Sequence, residues 1–172
     1  MWTKSLLVLS SAILAASSIF AVGSLRATPR DPWRSTQTVE AADFVKELQQ
    51  VKDPHPTVIY VGVKTLYEGG HIPGAVFYGP GSTEQGLADL KKFAATLPKN
   101  SDVVLYCGCC PLEKCPNLRP AFSALHDSGF ARLRVLLLPM SFNADWVEKG
   151  FPVHTGEKPQ FVLLRGPFSS GQ

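Results

Sequence analysis

Three short apolar runs, separated by segments with helical periodicity, most strongly constrain the fold of this chain. The runs cover residues 57–61, 103–106 and 135–138. Each run is apolar at successive positions, which is typical of a strand that is buried on both faces. Such strands need helices on both sides of their sheet. The sequence therefore predicts an α/β fold with three α/β/α layers and a central, mostly parallel sheet.

The helical segments lie before and between these strands. Their apolar residues recur at helical spacing in residues 39–51, 82–97, 121–129 and 142–150. Ser82 with Gln85 predicts a capping box at the start of the second helix, and Gly129 predicts the end of the third. The strands and helices thus alternate along the chain, as a parallel sheet requires.

The N-terminal segment is typical of an export signal. Residues 1–23 contain one charged residue, Lys4, and an apolar stretch that ends in the small residues of Ala21-Val22-Gly23. We predict cleavage after this signal and an exported protein, periplasmic or secreted, with no stable membrane association afterwards. The alternative is a protein anchored in the membrane by an uncleaved segment, because the uncharged run is long enough to cross a bilayer.

The rest of the chain divides into three parts. Residues 24–37 contain two prolines and no apolar period, which predicts a linker. Residues 38–156 form the predicted folded domain, and residues 157–172 a C-terminal tail. Seventeen Lys and Arg against fourteen Asp and Glu give a net charge of only +3, which argues against nucleic acid as a partner.

All four cysteines lie within nine residues, at positions 107, 109, 110 and 115. Cys107 directly follows the predicted strand 103–106 and precedes a loop that leads into a helix. Ligands of open α/β sheets bind at the carboxyl ends of the strands. Because backbone N–H groups in such a loop stabilise a thiolate, we predict that Cys107 ionises more readily than a free cysteine and acts as a nucleophile.

Several motifs occur in the order of a known family. They are Gly70-His71-Ile72-Pro73-Gly74-Ala75, the strand-terminal Cys107 with a helix ending at Gly129-Phe130, and Trp146 followed by Gly150-Phe151-Pro152-Val153. In these features, over about residues 38–154, the chain resembles the rhodanese-like (sulfurtransferase) family. The resemblance implies that Cys107 takes sulfane sulfur from thiosulfate or a similar small sulfur-containing anion. The resulting persulfide passes its sulfur to a thiophilic acceptor such as cyanide or a thiol, without a cofactor.

The loop after Cys107 supplies the other predicted site residues. Gly108, Cys109 and Cys110 form the first part of the predicted loop around the sulfur, and Lys114 and Arg119 are the predicted anion contacts. The loop of residues 108–116 is longer than the compact six-residue loop of the family. The family's Asp-Val-Arg at the end of the first buried strand is replaced by Tyr60-Val61-Gly62. No cysteine has an arginine six residues later, which excludes the related phosphatase activity.

The clustered cysteines leave two other functions open. One is a thiol-disulfide redox module, in which a second cysteine closes a disulfide with Cys107 and an exported protein is the partner. The other is a non-enzymatic module that binds a soft metal such as Cu(I) or Zn(II), or an iron-sulfur centre. The spacing matches no standard zinc or ferredoxin pattern, and we assign no metal ligand. A disulfide among Cys109, Cys110 and Cys115 that merely stiffens the loop is also compatible with a reactive Cys107.

Overall fold

A computed structural model describes residues 31–50 and 54–156, which form a three-layer α/β/α domain. Its central sheet has five strands in the spatial order β1-β5-β4-β2-β3, and every pairing is parallel. The strands are β1 (Thr38–Glu40), β2 (Thr57–Tyr60), β3 (Val76–Phe77), β4 (Asp102–Tyr106) and β5 (Arg132–Leu137). The α/β/α architecture expected from the apolar runs is confirmed, and β4 lies at its centre.

Helices connect the strands and cover both faces of the sheet. They are α1 (Ala41–Gln49), α2 (Lys64–Gly69), α3 (Glu84–Ala94) and α4 (Leu118–Asp127). Single helical turns cover Ser35–Gln37, Leu112–Lys114 and Asn143–Val147. In the described part of the chain, no helix is both long and apolar enough to cross a membrane.

Two apolar cores fill the spaces between the layers. On one side of the sheet, Leu90 of α3 and Phe122 of α4 pack with Val103 and Leu105. On the other side, Phe44 of α1 and Trp146 pack with the adjacent β4 residues, Val104 and Tyr106. Successive residues of β4 are therefore buried on opposite faces, which explains why its sequence is an uninterrupted apolar run.

The ends of two helices test the predicted caps. The capping box at Ser82 and Gln85 is wrong, because Thr83 caps α3 and its hydroxyl accepts the N–H of Gly86 at 3.0 Å. The Gln85 side chain instead donates to Asp89 one turn along the helix. Gly129 follows the end of α4 with a positive φ of 86°, as the C-cap prediction requires.

An ionic network joins α1 to the sheet away from the cysteines. The Arg134 guanidinium contacts Glu47 at 2.8 Å and Asp102 at 2.9 Å. The Asp102 side chain is only 9% exposed, whereas Arg132, which also pairs with it, is 57% exposed. Arg134 is thus the central member of this network.

The described residues include only part of the segments predicted to flank the folded domain. The predicted signal (1–23) and tail (157–172) lie outside the described residues, as does the first half of the predicted linker. Within 31–37, Trp33 is buried and its ring meets that of Phe122 edge-on, with centroids 5.5 Å apart. This part of the predicted linker therefore packs against α4.

Candidate functional site

Cys107 is the first residue after the central strand β4. Its side chain is 2% exposed and belongs to the core that β4 shares with α3 and α4. The strand alternation determines this direction: Tyr106 faces the opposite core, and Cys107 faces α4. The predicted nucleophile therefore lies at the carboxyl end of the sheet, on its α3/α4 side.

Gly108 lets the chain leave β4 in a tight turn. Its φ is +70°, and its carbonyl accepts the N–H of Phe142 at 2.9 Å. A Cβ at this position would lie 2.7 Å from both the backbone nitrogen and the Cβ of Phe142. Both the left-handed backbone and the close approach require glycine.

Hydrogen bonds with residues outside the cysteine loop hold its outer part in place. Leu112 donates its N–H to the carbonyl of Pro139 at 3.0 Å. The Arg119 guanidinium donates to the carbonyls of Leu112 and Cys115, both at 3.2 Å, and pairs with Asp31 at 2.7 Å. Arg119 thus braces the loop, and Lys114 is exposed on its outer surface. Their predicted contacts with an anion stay predictions.

The loop brings its cysteine sulfurs together. The Sγ atoms of Cys107, Cys109 and Cys115 all lie within 4.8 Å of one another, and those of Cys107 and Cys109 are 3.1 Å apart. The Cys110 sulfur lies 3.4 Å from that of Cys109. These separations exceed the S–S bond length of about 2.05 Å, and all four cysteines are free thiols.

Asn117 is a site residue that the sequence analysis missed. It is 3% exposed, and its Nδ2 lies 3.6 Å from Cys107 Sγ and 3.5 Å from Cys109 Sγ. Its Oδ1 accepts the N–H of Ser82 at 3.1 Å, which fixes the orientation of the amide. An asparagine directly before a helix suggests an N-cap, but this side chain makes no cap hydrogen bond. Its amide donates to the sulfurs instead.

Cys107 and Cys115 affect each other's pKa. A hydrogen bond to Cys115 and burial both raise the pKa of Cys107. The pKa of Cys115 is lowered by the hydrogen bond from Cys107, and further by the backbone N–H groups of Asn117 and Leu118. The two pKa values thus shift in opposite directions. The prediction that Cys107 itself ionises readily stays a prediction: the first amides of α4 face Cys115, whereas the backbone N–H of Cys109 lowers the pKa of Cys107.

Tyr60 and Gly62 stand where the family pattern has charged residues, and neither brings a charged side chain to the Cys107 sulfur. Tyr60 is buried, and a Cβ at Gly62 would lie 3.0 Å from Cys107 Sγ and closer still to the Tyr60 hydroxyl. Burial and the nearby thiols, Cys107 first among them, raise the pKa of Tyr60. The phenol stays neutral, and Gly62 leaves room for it beside the sulfur.

His71, in the Gly70–Ala75 motif, makes hydrogen bonds that hold the turn between α2 and β3. It is fully buried, its Nδ1 lies 2.7 Å from the carbonyl oxygen of Tyr67, and its ring stacks on the Tyr67 ring. Its backbone exchanges two hydrogen bonds of 2.8 Å with His154. Burial lowers the pKa of His71, so that the neutral imidazole is favoured.

Fold and site together define a class of protein: a three-layer α/β domain with a buried cysteine directly after its central strand. The family model described as "Rhodanese-like domain" matches residues 40–137. The chain belongs to the rhodanese-like domain family.

Solved structures agree with this fold. A rhodanese-like domain of the Alr3790 protein from Anabaena sp. is 22% identical, with a TM-score of 0.51 over 79% of this chain and 88% of that one. The BH2092 protein from Bacillus halodurans is 19% identical, with a TM-score of 0.54 over 75% and 84%. A thiosulfate sulfurtransferase from Pseudomonas aeruginosa is 23% identical, with a TM-score of 0.51 over 76% of this chain but only 21% of that one. None of the curated proteins matches the chain.

Proposed function

We propose that the protein is a sulfurtransferase that carries sulfane sulfur as a persulfide on Cys107. The observation that carries this proposal is the placement of the Cys107 sulfur at the carboxyl end of β4, facing N–H donors. The Asn117 amide and the backbone N–H of Cys109 both point to this sulfur. Such donors stabilise an anionic sulfur, which a persulfide requires.

The reaction balances without a cofactor or an external oxidant. Cys107 releases its proton and attacks the outer sulfur of thiosulfate; the new S–S bond forms as the sulfur-sulfur bond of thiosulfate breaks and sulfite leaves. The acceptor, cyanide or a thiol, then attacks the outer persulfide sulfur and regenerates the Cys107 thiolate. The Cys115 sulfur, which lies within 4.8 Å of the Cys107 sulfur, is the group that we propose takes this first proton.

The supporting residues follow from their positions. Gly108 shapes the start of the loop, Cys109 lies beside the reacting sulfur, and Cys110 is its neighbour. Exposed Lys114 is the side chain we propose for attracting a donor anion from solvent. Arg119 contributes through the backbone carbonyls that it holds.

We also propose that the protein works outside the cytoplasm. The support is the uncharged, apolar N-terminal segment, which ends in small residues at 21–23. In that compartment the acceptor is a small thiol, cyanide or another exported protein. An alkaline carbonate wash of membranes separates the cleaved, released protein from a membrane-anchored one.

Intact-protein mass spectrometry tests the sulfur transfer. The purified, fully reduced chain is mixed with thiosulfate, and we expect a gain of about 32 Da on a peptide that contains Cys107. Cyanide should remove the gain, and Cys107→Ser should never acquire it. A gain that persists in Cys107→Ser would assign the persulfide to another cysteine. No gain with four free thiols would reject thiosulfate as the donor.

A further inference from the structure

The proposed persulfide forms on one cysteine, yet the loop places three cysteine sulfurs together. We call Cys107, Cys109 and Cys115 the three-sulfur cluster; their Sγ atoms lie within 4.8 Å of one another. Cys107 and Cys115 are 2% and 3% exposed. A persulfide on Cys107 needs neither of the other two sulfurs as a bonding partner. Their convergence from both ends of the loop therefore calls for a separate explanation.

Hydrogen-bond donors surround the three-sulfur cluster. The Asn117 amide faces both Cys107 and Cys109. The backbone N–H of Cys109 points to Cys107, and those of Asn117 and Leu118 point to Cys115. Every sulfur of the cluster thus faces at least one N–H group. Donors of this kind hold thiolate ligands in place around a metal.

The number and type of ligands select the metal. Thiolates favour soft ions, Cu(I) and Zn(II) among them, and structural Zn(II) requires four tetrahedral ligands. Cys110, the fourth cysteine, contacts Cys109 at 3.4 Å but does not belong to the set of mutually close sulfurs. Among the described residues, only this one group of three or more ligand atoms converges. Three mutually close sulfurs, those of Cys107 and Cys115 buried and that of Cys109 partly exposed, suit a three-coordinate monovalent ion.

We propose that the three-sulfur cluster is a binding site for one Cu(I) ion. Cu⁺ binds the three sulfurs as thiolates, and each sulfur that still carries a proton releases it, with no change of oxidation state. The surrounding N–H groups offset the negative charge of this complex. Because Cys107 is a ligand, a bound ion blocks its attack on a sulfur donor. The copper site does not depend on the proposed sulfur transfer, and either can fail without the other.

Anaerobic competition for Cu(I) against a chromophoric chelator tests the site. The reduced, purified chain should take one Cu(I), and X-ray absorption should show three sulfur neighbours. Cys107→Ser, Cys109→Ser and Cys115→Ser should each weaken binding by more than the tenfold to about hundredfold loss typical of outer-sphere changes. Cys110→Ser is the matched control: Cys110 contacts the ligand Cys109 but is not itself a ligand, so its loss of affinity should stay below that of each ligand change.

The outcomes are distinct. Four sulfur neighbours, an equal loss in Cys110→Ser, or preferential retention of Zn(II) in the same competition would overturn the three-sulfur Cu(I) site. Unchanged binding in Cys115→Ser would overturn it as well. Thermal unfolding of each metal-free variant separates a lost ligand from a lost fold, and added Cu(I) should raise the melting temperature only of proteins that keep all three ligands. Persulfide formation is measured separately by mass.

Discussion

Asn117→Asp isolates the part that the buried amide plays in the reactivity of Cys107. Aspartate has the same shape, and its carboxylate can still accept the N–H of Ser82, as the Asn117 Oδ1 does at 3.1 Å. The change removes the N–H donors that face Cys107 and Cys109 at 3.6 and 3.5 Å. It also brings a carboxylate to within contact distance of the two sulfurs.

The expected loss follows from the single bond to the reacting sulfur. A hydrogen bond to a charged group contributes about 1.5 kcal/mol or more, which corresponds to about a tenfold change in rate. Repulsion by the new carboxylate adds to this loss, because it raises the pKa of the nearby thiols. We therefore expect Asn117→Asp to form the persulfide at least about tenfold more slowly than the unchanged protein.

The assay is the rate of mass gain with thiosulfate, with iodoacetamide alkylation of Cys107 as a second measure of thiolate reactivity. Asn100→Asp makes the same chemical change at an exposed position and is the matched control. Equal rates in Asn117→Asp and Asn100→Asp would refute the assignment of the amide to the sulfur. Faster reaction in Asn117→Asp would show that the carboxylate acts as a base.

Three further predictions concern stability, each measured by chemical unfolding. Gly108→Ala should cost about 2 kcal/mol or more, because of its positive φ and the close Phe142 backbone, whereas Gly69→Ala, in open space, should cost none. Arg134→Met should lower the free energy of unfolding by about 3 kcal/mol, and Arg132→Met, at an exposed position, by less than about 1 kcal/mol. Equal losses would contradict the central role of Arg134. Burial lowers the pKa of His71 in the folded protein, so the unfolded chain takes up a proton at a higher pH than the folded one. The free energy of unfolding should therefore be unaffected by His71 above about pH 6.5 and should fall below that pH by at most about 1.4 kcal/mol per pH unit. His71→Gln should remove this slope.

The central strands could be predicted from the sequence, but the edge strands could not. The three apolar runs of the sequence lie in β2, in β4 and in the second half of β5, where the strands are buried on both faces. β1 and β3 contain only three and two residues, and no run of that length distinguishes a strand from a loop. The short helix α2, with a single buried residue, Tyr67, was likewise not predicted.

The site was predictable where it depends on strand order and was not where it depends on the path of the loop. Cys107 follows a buried strand, which places it at the carboxyl edge of the sheet. The orientation of Asn117 depends on Ser82, which is 35 residues away in sequence. The lowered pKa of Cys115 depends in part on the direction of the first amides of α4. Neither relation leaves a pattern among adjacent residues.

Arg119 contacts two residues of the predicted linker, and these contacts affect where the chain can be truncated for expression. The family match begins at residue 40, yet Asp31 pairs with Arg119, and the Trp33 ring lies 5.7 Å from its guanidinium carbon. A fragment trimmed to the family boundary would lose the carboxylate that pairs with Arg119. It would also leave Phe122 without the aromatic ring that covers it. Expression should therefore begin before Asp31, since the residues that follow it support the cysteine loop from outside the conventional domain.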